Sequence, residues 1–123
     1  MTTDPLVIGP HATVEEAYTT MKSRGFRHLP VVDKGRLVGI ISTTDVGRLG
    51  SQIPELMARP VAYAMTPDPM TIAPDASIEV AAAQMGLKKV NCFPVVEGGK
   101  LVGIVTTYDL LDALAQRPAT AAE

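Results

Sequence analysis

Two short stretches, GIISTTD from Gly39 to Asp45 and GIVTTYD from Gly103 to Asp109, each end an aliphatic run with hydroxyls and a carboxylate. Ser42 precedes Asp45 by three residues, and Thr106 precedes Asp109 by the same spacing. That is the spacing of a capping box, in which the hydroxyl accepts from an amide of the first turn and the acid sits at the positive end of the helix. The same atoms support a second chemistry. A helix N-terminus leaves amide donors unpaired, and hydroxyls beside it can hold a phosphate. A carboxylate there repels phosphate, so in a nucleotide site Asp45 and Asp109 must face donors; vicinal ribose hydroxyls donate two hydrogen bonds to one carboxylate. From these residues alone, cap only and cap with nucleotide both stand.

The remaining reactive side chains point to simpler roles. His28 and Cys92 share a position in the two halves of the chain, yet nothing around Cys92 resembles a nucleophile setting and no third group orients the pair. Cys92 beside Phe93 reads as packing. His11 and His28 lack an Asp or Cys at ligand spacing, so no metal site is expected. Met21 and Met85 read as core fillers on helix faces, and Glu15, Glu16, Lys22 and Arg24 as a solvated face.

The elements that position the motifs come from a repeat. Sliding the sequence by 64 places (94 − 30) lays Met1 to Val46 on Met65 to Leu110 without a gap, with roughly four positions in ten identical. Each copy opens with a short extended piece, Leu6 to Ile8 or Met70 to Ile72, leading to Pro10 or Pro74. A helix follows, begun by Thr13 with Glu16 in a capping box and stopped at Gly25, or begun by Ser77. Two apolar runs joined by DKG or EGG read as a hairpin with glycine supplying positive φ. Pro30 and Pro94 cannot donate to a ladder, which assigns them to a strand start or a sheet edge. A short helix, Thr43 to Leu49 or Thr107 to Leu114, closes each unit. The order is β-α-β-β-α, twice: residues 1–49, a linker and lead-in over 50–64 with a helical turn or two ending near Arg59 and Pro60, residues 65–114, and a fraying tail over 115–123. Copy one has no counterpart of the lead-in, which fits either a trimmed copy or a piece of a longer protein.

Composition fits one soluble globule. The chain has 123 residues, 46% apolar and 20% charged, with net charge −2, enough for a real core. Scattered Lys and Arg give no basic face for a nucleic acid. A lone cysteine excludes an intrachain disulfide and suits a reducing cytoplasm. No window reaches the ~18 apolar residues that span a bilayer, so a cytoplasmic protein with no membrane partner is expected.

The doubled pattern HLPVVDKGRLVGIISTTD and CFPVVEGGKLVGIVTTYD, each after an extended piece and a capped helix at the same offset, resembles a tandem pair of CBS domains. The resemblance covers nearly the whole chain. It implies an α+β fold in which two repeats pack sheet to sheet about a pseudo-twofold axis and leave clefts between them. It implies a regulatory module, not an enzyme, that binds an adenosine compound (AMP, ADP, ATP or S-adenosylmethionine), needs no cofactor, forms a homodimer and acts on an unknown regulated protein. Carried over residue by residue, it groups Asp45, Ser42 and Thr44 with Thr66, Met70, Val90, Asn91 and Cys92, and Asp109, Thr106 and Tyr108 with Thr2, Leu6, Phe26, Arg27 and His28. Arg27 and His28 favour the Asp109 side for an anionic nucleotide, with Lys88 and Lys89 as a counterweight on the other. Tyr108, standing where the first copy has Thr44, is placed to stack, to hydrogen-bond or to block. A purely structural or dimerising module, or a fragment of a larger enzyme or transporter, are the alternatives.

Overall fold

The computed structural model describes residues 2–116. Four helices, α1 (Val14–Arg24), α2 (Thr43–Gly50), α3 (Ile78–Lys88) and α4 (Thr107–Ala115), combine with six strands. The hairpins β2 (His28–Asp33) with β3 (Arg36–Ser42) and β5 (Cys92–Glu97) with β6 (Lys100–Thr106) turn through two residues each. Lys34 and Gly35, and Gly98 and Gly99, all take positive φ, the conformation that matches a two-residue turn to the strands' twist.

Helix boundaries follow the expected caps. Thr13 and Glu16 form the reciprocal box of α1, and Gly25 closes that helix at φ 72°. Ser77 caps α3, which ends on Lys89 in the left-handed region without a glycine.

The extended pieces differ from expectation. Leu6 to Ile8 and Met70 to Ile72 contribute only parallel bridges, Ile8 to Val31 and Ile72 to Val95. The lead-in strands lie earlier, at β1 (Thr2–Thr3) and β4 (Thr66–Pro67), and each crosses to the other half. β1 pairs with β6 and β4 with β3, giving two three-stranded antiparallel sheets, β1-β6-β5 and β2-β3-β4. Each sheet therefore needs both copies. The exchange depends on Gly39, where a Cβ would lie 2.5 Å from Met65 Sδ and 2.9 Å from the Thr66 carbonyl oxygen. Pro30 and Pro94 sit on β2 and β5, the edge strands of the two sheets, where the missing N–H costs nothing to the ladder.

The central strands β3 and β6 approach each other, and a helical pair packs on each sheet. One core gathers Val14, Met21, Leu29, Val31, Ile41 and Val46; the other gathers Ala81, Met85, Phe93, Val95, Val105 and Leu110. The segment between the copies belongs to the first core. Its two 3₁₀ turns, Leu56–Ala58 and Val61–Tyr63, bury Leu56 and Val61. The Val61 N–H donates to Ala12 O at 2.7 Å and Val14 N–H to Arg59 O at 2.8 Å. The expected tail over 115–123 falls almost wholly outside the described residues, and α4 itself runs through Ala115.

Candidate functional site

Both GhhS/T motifs deliver their last residues to one place. The Ser42 hydroxyl at the end of β3 accepts from Asp45 N–H at 3.0 Å and starts α2. Thr106 at the end of β6 accepts from Asp109 N–H at 3.3 Å, and Asp109 Oδ2 accepts from Thr106 N–H at 2.9 Å, completing the box on α4. The capping reading is thus realised twice. The first amide of each helix is also taken: Thr43 N–H donates to Arg27 O at 3.0 Å and Thr107 N–H to Asn91 O at 2.9 Å. The first and third amides of each helix are therefore engaged within the protein, because each loop before a hairpin folds its carbonyl over the helix start.

The hydroxyls and carboxylates nevertheless open onto a cleft of about 990 Å³ between the two halves. It is continuous, so the two separate clefts expected from the repeat are joined in one cavity. Asp45, Ser42, Thr44, Thr66, Met70, Val90, Asn91 and Cys92 line it, and so do Asp109, Thr106, Tyr108, Leu6, Phe26, Arg27 and His28. Thr2 is described by its backbone, which pairs on β1 with Ile104 of β6. The sequence did not single out Asp68, Thr107 or Leu111, which also line the cleft. Thr107 and Leu111 flank residues of the motif, so their inclusion was legible from helical spacing.

The two ends of the cleft differ in charge. Arg48 donates to Asp45 Oδ1 at 3.1 Å, an exposed pair one helical turn apart. The repeat counterpart of Arg48 is Asp112, so Asp109 has no such cation on its own helix and is held by its cap. A cation reaches that end from the other half: the Arg27 guanidinium stacks over the Tyr108 ring, 5.1 Å from its centroid.

His28 pairs with Ser42 in the ladder and Cys92 with Thr106, so the backbone of each runs beside its own copy's motif. Burial lowers the His28 pKa below its ordinary value; the Asp45 carboxylate opposes this shift and the Arg27 cation adds to it. Burial, with Asp109 adding to it, pushes the Cys92 thiol up to about 12. A thiol held protonated in this way is a poor nucleophile. Among the described residues no group of three or more His, Cys, Asp or Glu could hold a metal ion, and no helix is long and apolar enough to cross a membrane.

A family model for the CBS domain matches residues 1–49 and 56–116. The chain belongs to the CBS domain family and carries the domain twice. A-adding tRNA nucleotidyltransferase of Aquifex aeolicus (strain VF5) is 35% identical over 117 residues, covering 94% of this chain and only 14% of that enzyme. The structure of CBSX2 in complex with AMP is 30% identical with a TM-score of 0.83, over 94% of this chain and 92% of that one. The CBS domain pair of protein MJ0100, in complex with 5′-methylthioadenosine and S-adenosyl-L-methionine, is 27% identical with a TM-score of 0.79, over 93% and 92%.

Proposed function

We propose that this CBS pair is a regulatory binding module, not a catalyst, that takes an adenosine compound in the cleft between its halves. One observation carries the reading: Asp45 and Asp109, from equivalent positions of the two copies, face the same cleft alongside apolar walls and the Arg27 cation. Complexes of similar CBS structures with AMP and with S-adenosyl-L-methionine support the ligand class.

Each carboxylate can accept from a ribose diol. Leu6 and Phe26, or Met70 and Val90, give an adenine an apolar slot, and Arg27 supplies a donor to a phosphate. The Asp109 end suits an anionic nucleotide, because Arg27 lies there and Asp45 already holds Arg48. Regulation then requires that the ligand bind two arrangements of the halves with different affinity. The chain's match to a small part of a larger enzyme favours a second setting for the same function, a pair carried within a longer regulated protein.

A thermal-shift panel of adenosine, AMP, ADP, ATP, S-adenosylmethionine and NAD tests the ligand class. A compound at ~100 times its Kd adds about 2.7 kcal/mol to the folded state. A shift with an adenosine compound, lost in Asp109→Ala, is expected; no shift with any of the six would return the motifs to helix caps alone.

A further inference from the structure

Positions 28 and 92 are equivalent in the repeat and both line the cleft, yet they differ in one chemical respect. The Cys92 thiol, pushed up to about 12, stays neutral. His28 carries an imidazole, the side chain whose charge ordinarily changes near pH ~6.5. It is the one histidine among the described residues that line the cleft, so a proton can be gained there on one side and not on the other.

The charges around His28 come from both halves. Arg27 precedes it in the chain and reaches across to Tyr108. Asp45 of α2 acts on it from its own copy but is already paired with Arg48. Asp109 of α4 and Asp68, which follows β4, line the same cleft from the other copy. Burial is the largest influence on the imidazole and disfavours its charged form; Asp45 favours that form and Arg27 disfavours it. A phosphate drawn to Arg27 cancels the opposition from that cation and adds an anion between apolar walls, where charges are poorly screened. A sulfonium cation in the same place does the reverse.

Building on the adenosine reading of the cleft, we propose that His28 takes up a proton when the cleft binds a phosphorylated adenosine compound, and that this proton selects an anionic ligand over the cationic S-adenosylmethionine. A proton held more tightly in the complex than in the free chain makes binding tighter as pH falls. The gain is complete below the pH at which His28 titrates in the free chain, and it is lost as pH rises through the value in the complex. An upward shift of about one unit corresponds to about tenfold tighter binding at the acid limit.

Proton NMR of the full chain reads the imidazole directly, whereas an affinity profile would also contain the phosphate group's own titration near pH ~6. The chain holds two histidines. His11 is exposed and does not line the cleft, so His11→Gln assigns the two resonances and His11 itself serves as the internal reference. Both are followed across the range around pH ~6.5 in the free chain, with saturating AMP and with saturating S-adenosylmethionine. AMP is expected to raise the His28 midpoint by about one unit, S-adenosylmethionine to leave it in place or lower it, and His11 to follow neither. Saturable AMP binding, seen in other resonances, that leaves the His28 midpoint in place or lowers it overturns the proton uptake while the adenosine site stands. An equal rise with S-adenosylmethionine overturns the charge selection. No saturable change in any resonance with either compound overturns the adenosine site itself, and the uptake with it.

Discussion

Gly39→Ala isolates the feature that joins the two halves. The added methyl would sit 2.5 Å from Met65 Sδ, 3.0 Å from Met65 Cγ and 2.9 Å from the Thr66 carbonyl oxygen. Met65 can swing away, but the carbonyl belongs to β4, which must itself retreat from β3. The pairings of Gly39 with Pro67 and Ile40 with Thr66 are then strained together. Overpacking of this kind costs about 1–3 kcal/mol, and for a domain of this size each kcal/mol lowers Tm by roughly 3–5 °C. A value near 2 kcal/mol gives a fall of roughly 6–10 °C, measurable by calorimetry or by urea unfolding at constant m. Gly86→Ala on α3 is the control, because a Cβ there meets nothing within 4 Å; it should stabilise by about 0.5–1 kcal/mol. A Gly39→Ala protein within ~0.5 kcal/mol of wild type would refute the idea that this glycine admits the exchanged strand.

The two motif aspartates should differ in their structural cost. Asp109→Ala breaks a half-buried bond to Thr106 N–H and should lose ~0.5–2 kcal/mol, whereas Asp45→Ala gives up an exposed pair with Arg48 and should lose ~0.2–1 kcal/mol; equal losses in urea titrations would contradict the asymmetry. His28 has a depressed folded-state pKa, so the unfolded chain takes up the proton first as pH falls. Its contribution is fully present above the ordinary pKa near ~6.5 and is lost as pH drops below it through the folded value. His28→Gln should flatten the slope of stability against pH below that value, and an unchanged slope would count against burial as the cause. Cys92, buried with its thiol pushed up to about 12, should resist a disulfide reagent at pH 8 until the protein unfolds; modification at the rate of a free thiol would contradict its placement.

Much of this architecture was legible because local chemistry and the repeat agree. Thr13 with Glu16, Gly25, Ser42 with Asp45 and Thr106 with Asp109 each fix a helix end through bonds spanning a few residues. The residues facing the cleft were legible for the same reason, since they flank strand ends whose positions the repeat sets twice. What was hidden depends on long-range pairing. Strands of two residues, Thr2–Thr3 and Thr66–Pro67, carry no periodicity, and nothing local says which sheet they will join. The Arg27 and Tyr108 stack links opposite halves. The placement of His28 beside Ser42, which brings it under the influence of Asp45, follows from hairpin register, which only the folded ladder displays.

The central claim is tested most directly by isothermal titration of the full chain with AMP, ATP and S-adenosylmethionine, repeated on the Asp45→Asn, Asp109→Asn double variant. These substitutions keep side-chain size and an acceptor oxygen for the caps while removing both charges. Saturable heat with at least one compound, weakened at least tenfold in a double variant that still melts cooperatively, is the expected result. No heat with any of the three up to millimolar concentration, or undiminished binding by the double variant, would contradict an adenosine site built on the paired carboxylates.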